Sequence, residues 1–261
     1  MRVDEYLRER LKRKRICLMT HIIVGYPSFE ANLKALEIMA ENDVDVVEIQ
    51  MPFSEPIADG PIFVRANQMS LQRGTTVDQY FRFMEKATAR FDFPLLMMGY
   101  YNPVFKMGEA NFLDRLQSSG GRGFIIPDLP IEEGRNLFDR AKQKGLAAIP
   151  LMTPSSTEQR LKELGKAGSG FVYVVARKGV TGEHTKFEDD FADYVQKCRR
   201  ATELPLAVGF GISQKQDLDF LVNHVEMAII GTRILEIWEN NGEEGLQAFL
   251  QEIKQYLERL C

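Results

Sequence analysis

The sequence predicts an α/β protein, a single (β/α)8 TIM barrel over residues 1–261 with an additional N-terminal helix, from three observations. The chain has 261 residues, and about 250 is the usual length of such a barrel, which forms one domain. Eight short apolar runs alternate with amphipathic segments, as expected for parallel strands covered by helices. No low-complexity linker or internal repeat divides the chain.

The predicted elements follow one another without a long gap. The strand candidates are nearly continuous in apolar residues and occupy 17–24, 44–49, 94–99, 123–127, 147–152, 170–175, 205–210 and 226–231. The amphipathic segments occupy 29–41, 76–90, 109–118, 132–144, 156–166, 188–200, 214–222 and 242–259. A doubly wound sheet is the main alternative. It is disfavoured because the turn after the first strand, GYPSFE, lacks the glycine pattern of a dinucleotide site.

Composition excludes several classes of protein. A net charge of −4 gives no global basic field, so we expect no nucleic-acid partner, and the basic cluster Lys12–Arg15 is interpreted as the solvated end of the N-terminal helix. Cys17, Cys198 and Cys261 lie far apart, which predicts neither a metal site nor a disulfide framework. No signal peptide and no apolar run of about 20 residues is recognised. We therefore expect a cytoplasmic protein without a membrane partner.

Two connections are longer than the fold requires, one from Gln50 to about Pro61 and one from Ala176 to about Glu188. Both follow strands, so in a barrel both lie on the face where active sites form. Long loops on this face are candidates for lids.

Glycines after the last strands predict a phosphate site. GFGIS (209–213) follows the seventh strand and IIGTRI (229–234) follows the eighth, which is the usual phosphate position of a barrel. A helix beginning near Thr232 would direct its N-terminal dipole at the same point. GVTG (179–182) completes the predicted cradle. The alternative is that these glycines only turn the chain.

Glu48 is the first candidate catalytic residue because it ends a run otherwise suited to burial. Side chains alternate along a strand, so Glu48 shares a face with Val44 and Val46. If that face points inward, burial raises the pKa of the carboxyl group, which suits a general acid. The alternative is a glutamate paired with a basic residue on the outer surface.

Asp59 lies in the loop MPFSEPIADGP. Asp-Gly is a common turn pair, and on this evidence alone a turn is the better interpretation. Three prolines stiffen the loop, however, which favours a rigid segment that presents a carboxylate over the barrel mouth. One buried and one solvated carboxyl group is a pattern that separates acid from base.

Several motifs together resemble the tryptophan synthase alpha subunit family over residues 16–235. The segments that carry the resemblance are GYP (25–27), EIQMPFSEPIADGP (48–61), YYNPVF (100–105), PDLP (127–130), FVYVVARKGVTG (171–182), GFGIS (209–213) and IIGT (229–232). The segment 48–61 is the most specific of them.

The resemblance implies a lyase of tryptophan biosynthesis that cleaves indole-3-glycerol phosphate to indole and glyceraldehyde 3-phosphate by a retro-aldol reaction. By resemblance, Glu48 protonates C3 of the indole ring, and Asp59 binds the indole N–H and stabilises the positive charge that develops there. The remaining expected site residues bind substrate (Tyr100, Tyr173, Phe210 and Thr181) or its phosphate (Gly182, Gly211, Gly231 and Thr232).

The resemblance also implies a partner. The chain is expected to be the alpha subunit of an α2β2 heterotetramer, with no cofactor of its own and with pyridoxal phosphate in the beta subunit. Direct transfer of indole to that subunit would prevent the loss of a neutral, permeable intermediate. The loop with Asp59 and the loop after the sixth strand are the expected contact elements.

Four departures from the family pattern lie near the site. Gln50 replaces a glycine, Glu55 an aspartate, and Arg233 a small residue, while His21 stands three positions before Val24. They affect the expected fine specificity and subunit coupling, but not the reaction class. Two alternatives remain open: an isomerase of aminosugar phosphates, favoured by the polarity of His21 and Gln50, and a non-catalytic activator of the partner, disfavoured by the intact pair of acids.

Overall fold

The computed structural model describes residues 1–176, 189–209 and 217–260. Its strands are all parallel and are β1 Cys17–Ile23, β2 Val46–Gln50, β3 Leu95–Met98, β4 Gly123–Ile125, β5 Ala147–Ala148, β6 Leu151–Met152, β7 Val172–Val175, β8 Leu206–Gly209 and β9 Met227–Ile230. Their hydrogen-bonded order is β5-β4-β3-β2-β1-β9-β8-β7-β6. Every one of the eight predicted strands is therefore present.

Helices cover the strands and connect them. They are α1 Val3–Arg10, α2 Phe29–Glu41, α3 Pro61–Gln72, α4 Val77–Thr88, α5 Tyr101–Met107, α6 Glu109–Ser118, α7 Ile131–Gln143, α8 Glu158–Ala167, α9 Asp189–Ala201, α10 Asp217–Leu221 and α11 Thr232–Arg259. Side-chain caps begin several of them, such as Ser28, which accepts from the Ala31 N–H, and Thr76, which forms a capping box with Gln79. Among the described residues, no helix is both long and apolar enough to cross a membrane.

The fifth predicted strand is divided in two, which explains why the described sheet has nine strands. Proline has no N–H to donate to a strand partner, and Pro150 separates β5 from β6. The Ile149 N–H donates to Phe124 O at 3.1 Å, and Pro150 O accepts from the Tyr173 N–H at 3.0 Å. The segment 147–152 therefore contains the strands at both ends of this order, β5 and β6, and closes the barrel.

Alternate residues of the strands form two separate apolar layers. One face lines the barrel interior, where Met19, Val46 and Ile229 pack together, and the other packs against the helices, where Val47 and Ala228 lie. This alternation is the period of two that a strand imposes. It also decides which polar side chains at the strand ends enter the barrel.

The N-terminal helix α1 closes the end of the barrel where the strands begin. Its Val3 and Leu7 are buried in the interior cluster. Asp45, just before β2, is fully buried and accepts from Arg10 Nε at 2.5 Å, Lys14 Nζ at 2.9 Å and the Leu18 N–H at 2.8 Å. These ionic contacts tie the segment that follows α1 to the start of β2. The additional N-terminal helix is therefore an integral part of the barrel.

Candidate active site

Four polar side chains meet at the opposite end of the barrel, where β1 and β2 finish. His21 is 8% exposed, Glu48 2%, Gln50 0% and Asp59 9%. His21 and Glu48 are direct partners in the parallel register of β1 and β2. Gln50 lies two residues after Glu48 and therefore faces the same side.

Glu48 lies on the interior face of β2, as the sequence predicted. It shares that face with Val46, which belongs to the interior cluster. The prediction that Val44 shares the face was wrong, because β2 begins at Val46 and Val44 packs in the outer layer. Burial, with a smaller contribution from the charge of Asp59, raises the pKa of Glu48 to about 8. The carboxyl group is therefore protonated near neutral pH.

Asp59 is buried, so the prediction of a solvated carboxyl group was wrong. Burial raises its pKa to about 6, against hydrogen bonds with Gln50, Tyr100 and Asn67 that lower it. Gln50 Nε2 donates to Asp59 Oδ2 at 2.7 Å, and Asn67 Nδ2 donates to the same oxygen at 3.3 Å. The two carboxyl groups nonetheless differ as expected, since Asp59 has donors that stabilise its ionised form.

Asn67 supports this loop and was not identified from the sequence. It lies on α3, where its Oδ1 accepts from the Phe53 N–H at 3.0 Å and its Nδ2 donates to Phe63 O at 2.8 Å. The available signal was an amide on the buried stripe of an amphipathic helix, beside Phe63, Ala66 and Ser70. Asn67 therefore connects α3 with the start of this loop, through Phe53, and with Asp59 itself.

His21 is neutral in this environment. Burial lowers its pKa to about 3, although a hydrogen bond with Gln50 opposes the effect. Its Nδ1 lies 3.6 Å from Glu48 Oε2, but a neutral imidazole beside a protonated carboxyl group is not an ion pair. The ring also packs on Phe63, with 4.5 Å between centroids.

Aromatic side chains border the two carboxyl groups. The Tyr100 hydroxyl accepts from the Ala58 N–H at 3.1 Å, and its ring stacks on Phe53 with centroids 5.3 Å apart. Tyr173 faces both acids, because their charges add to the burial that raises its phenol pKa. The sequence predictions for Tyr100 and Tyr173 therefore fall beside Glu48 and Asp59.

Part of the predicted phosphate site adjoins this cluster. Gly231 precedes α11, which begins at Thr232, and a Cβ placed on Gly231 would lie 3.6 Å from the Cβ of His21. The first turn of α11 thus directs its free N–H groups toward the barrel mouth. Four other predicted site residues lie outside the described residues: Thr181, Gly182, Phe210 and Gly211.

Comparisons with known proteins agree over almost the whole chain. The family model described as tryptophan synthase alpha chain matches residues 7–260. A tryptophan synthase alpha chain of Desulfotalea psychrophila is 45% identical over 254 residues, covering 97% of this chain and 100% of that protein. A tryptophan synthase structure from Mycobacterium tuberculosis has a TM-score of 0.91 at 27% identity, with 98% of each chain covered. The tryptophan synthase α2β2 complex of Pyrococcus furiosus gives 0.84 at 26% identity, covering 92% of this chain and 98% of that one.

Proposed function

Because this chain belongs to the tryptophan synthase alpha chain family, we propose that Glu48 and Asp59 are the two catalytic carboxyl groups of its reaction. The chain is a lyase of tryptophan biosynthesis, and its reaction is the retro-aldol cleavage of indole-3-glycerol phosphate to indole and glyceraldehyde 3-phosphate. One observation carries the assignment. Two neighbouring buried carboxyl groups have unlike partners, so one is protonated and the other ionised at neutral pH.

Glu48 is the general acid of this proposal. Its proton is transferred to C3 of the indole ring, which becomes cationic. The bond between C3 and the glycerol chain then breaks, its electron pair returns to the ring, and the adjacent hydroxyl loses its proton to become the aldehyde. The carboxylate left on Glu48 accepts that proton, so the residue ends the cycle as it began. A pKa of about 8 is suited to both transfers near neutral pH.

Asp59 stabilises the cation formed in the first step. Its ionised carboxylate accepts a hydrogen bond from the indole N–H, where positive charge develops. A preorganised charge in a buried site acts more strongly than the same charge in water. Gln50 and Asn67 hold the carboxylate in place before the substrate binds.

The remaining residues bind the two ends of the substrate. Tyr100 and Tyr173, together with Phe210 and Thr181, surround the indole ring. Gly182, Gly211, Gly231 and Thr232 bind the phosphate through backbone N–H groups and the start of α11. Support comes from Gly231 and Thr232, which lie at a helix N-terminus beside His21.

The chain is the alpha subunit of an α2β2 assembly, as in the tryptophan synthase complex of Pyrococcus furiosus. It needs no cofactor for its own step, and pyridoxal phosphate belongs to the beta subunit. Two large apolar side chains on the active-site face support a docking surface there. Ile57, in the loop with Asp59, is 73% exposed, and Phe105, on α5, is 68% exposed. The two-subunit enzyme works in the cytoplasm, and residues 1–261 form a single domain.

The assignment of Glu48 is tested by cleavage of indole-3-glycerol phosphate by the isolated subunit. Glu48→Gln keeps the shape of the side chain but removes its proton, so we expect a loss of about 10²–10⁴-fold in rate. Glu55→Gln, the same change on an exposed carboxylate of the neighbouring loop, is the control and leaves the rate of the isolated subunit within about two-fold. A Glu48→Gln protein within a few-fold of wild type would reject the assignment.

The partner surface is tested by adding purified beta subunit, which we expect to raise the lyase turnover. Phe105→Asp places a charge on the exposed apolar side chain and reduces that activation, while the rate without the beta subunit stays unchanged. If activation by the beta subunit is the same in Phe105→Asp and wild type, this surface is not the docking site.

A further inference from the structure

Three unpaired polar atoms are concentrated between the two carboxyl groups. His21 Nε2, Glu48 Oε2 and Gln50 Oε1 are buried and have no hydrogen-bond partner among the described residues. A buried polar atom without a partner costs on the order of 1–3 kcal/mol, so such atoms are rare. Their occurrence on three adjacent side chains indicates that these side chains act on one another.

The orientation of Gln50 follows from its contact with Asp59. An ionised carboxylate only accepts hydrogen bonds, so the amide nitrogen of Gln50 must face it. The distance from Nε2 to Asp59 Oδ2 is 2.7 Å, and Asn67 Oδ1 lies 3.4 Å from the same nitrogen. Both amide hydrogens are therefore directed to the Asp59 side. The carbonyl oxygen Oε1 is left to face a donor elsewhere.

The His21 ring is suited to supply that donor. A neutral imidazole has one N–H and one lone pair. Its Nε2 and the Gln50 carbonyl oxygen are both buried and unpaired, and Gln50 acts on the ring in the direction that raises the His21 pKa, against the effect of burial. Because Nδ1 lies 3.6 Å from Glu48 Oε2, an N–H on Nε2 leaves the Nδ1 lone pair facing the protonated carboxyl group.

We propose that His21 and Gln50 are positioning residues that form a hydrogen-bonded bridge between the two catalytic carboxyl groups. Before substrate binds, a small approach shortens the 3.6 Å between Glu48 Oε2 and His21 Nδ1 to hydrogen-bond length, so that Oε2–H donates to Nδ1. His21 Nε2–H then donates to Gln50 Oε1, and Gln50 Nε2–H donates to Asp59 Oδ2 at 2.7 Å. Each of the three unpaired atoms then has a partner. The bridge runs in one direction, so it favours the protonated form of Glu48 and the ionised form of Asp59 together. The inference rests on the proposed roles of those two residues.

The other titratable groups around the bridge do not compete with it. Tyr100, at the N-cap of α5, and Tyr173, on β7, are phenols beside the acids, and burial raises the pKa of both above the usual value. Both stay neutral near pH 7. Burial, and to a smaller extent the charge of Asp59, raise the pKa of Glu48. Within the described residues, the protonation of the site is therefore set by the two acids and His21.

The tautomer of His21 tests the bridge without reference to activity. The chain has 3 histidines, so ¹⁵N spectra of the histidine-labelled full chain resolve each ring, and the signals absent in His21→Phe identify His21. We expect the neutral form with its proton on Nε2, retained down to pH 5. In Gln50→Met this preference for one tautomer is lost. A proton on Nδ1, or titration of His21 near pH 6.5, would overturn the proposal.

The pH dependence of cleavage tests the coupling to the acids. His21→Phe removes the acceptor for Glu48, so the upper pKa of the kcat/KM profile falls and the rate at pH 8 drops by about 3- to 10-fold. Gln50→Met produces a similar drop, and the double variant is no more than about two-fold slower than either single one, because both break one bridge. Losses that multiply would contradict the bridge.

The control for this series is His224→Phe, the same replacement at a ring that bonds Phe220 O, and it leaves the pH profile unchanged. The two proposals fail separately. If Glu48→Gln remains active, the catalytic assignment fails whatever the tautomer of His21. If Glu48→Gln is inactive but His21 carries its proton on Nδ1, only the bridge fails.

Discussion

Two buried carboxyl groups, one just before strand β2 and one within it, have opposite surroundings. Asp45, at the start, is fully buried and is contacted by the Arg10 guanidinium, the Lys14 ammonium and a backbone N–H. Glu48, near the other end, is equally buried, but its Oε2 has no hydrogen-bond partner among the described residues. Only two residues, Val46 and Val47, separate them in the chain.

The difference teaches that burial of an acid does not by itself indicate catalysis. At Asp45 the charge is matched by cations, and the result is a tie between the N-terminal segment and the barrel. At Glu48 no cation among the described residues balances a negative charge. The group therefore keeps its proton and remains able to donate it, at a cost in stability. We therefore expect substitutions at Asp45 to change stability, and substitutions at Glu48 to change activity.

The largest expected effect on stability is that of Asp45→Asn. It removes the charge of a fully buried carboxylate that accepts from two cations and from the Leu18 N–H, and it leaves those cations with Asp43 alone as their carboxylate partner among the described residues, so the free energy of unfolding should fall by about 3–5 kcal/mol. Urea denaturation measures this change, and the rate per folded molecule should stay close to that of wild type. If Asp45→Asn lowers the rate per folded molecule as much as Glu48→Gln, the contrast between the two ends is wrong.

A second prediction concerns the pH dependence of stability at Glu48. Its pKa is raised from 4.5 to about 8 in the folded state, so between these values the folded protein binds the proton and the unfolded chain does not. Stability from this group is therefore greatest at low pH and falls as pH rises through about 8. Glu48→Gln removes this dependence and should be more stable than wild type at pH 9, by roughly 2–4 kcal/mol. Urea denaturation of both proteins at pH 5 and pH 9 measures the difference. If the free energy of unfolding changes equally between these two pH values in both proteins, the prediction is wrong.

A third prediction concerns the rate. In the proposed mechanism, cleavage requires Glu48 protonated and Asp59 ionised, so kcat/KM should be highest between about pH 6 and about pH 8. Above the upper pKa the rate should fall about ten-fold per pH unit as Glu48 ionises. The upper limb is the sharper measurement, because the substrate phosphate also titrates near pH 6. A plateau that extends beyond pH 9.5 would show that the acid is another group.

Much of the fold could be predicted because the strands are short, apolar and regularly spaced. The division of the fifth strand has a visible cause in Pro150, although the apolar run 147–152 by itself predicts one continuous strand. Helices α3 and α5 were not predicted. Each begins in a segment rich in proline or loop residues, where periodicity over a short window is weak.

The site could be predicted only in part. Strand alternation was enough to place Glu48 in the interior, whereas Asp59 needed the family resemblance, because Asp-Gly in a loop is usually a turn. The burial of Asp59 was not predictable from its own segment. It depends on Gln50 and on Asn67, and Asn67 reaches the loop from a helix that was not predicted. Contacts between separate elements decide such burial, and local sequence does not contain them.

The smallest expected effect on stability is that of Lys14→Met, which distinguishes the contributions of the two cations that contact Asp45. Lys14 donates to Asp45 and also to Asp43 O, and its side chain is 18% exposed. Lys14→Met keeps the aliphatic stem but removes the charge, while Arg10 still contacts the carboxylate. We expect the free energy of unfolding to fall by only about 1 kcal/mol, within the range of a partly exposed ion pair. A loss as large as that of Asp45→Asn would mean that Lys14, and not the pair of cations, satisfies the buried charge. Contact with two cations would then not explain why the buried Asp45 has a structural role.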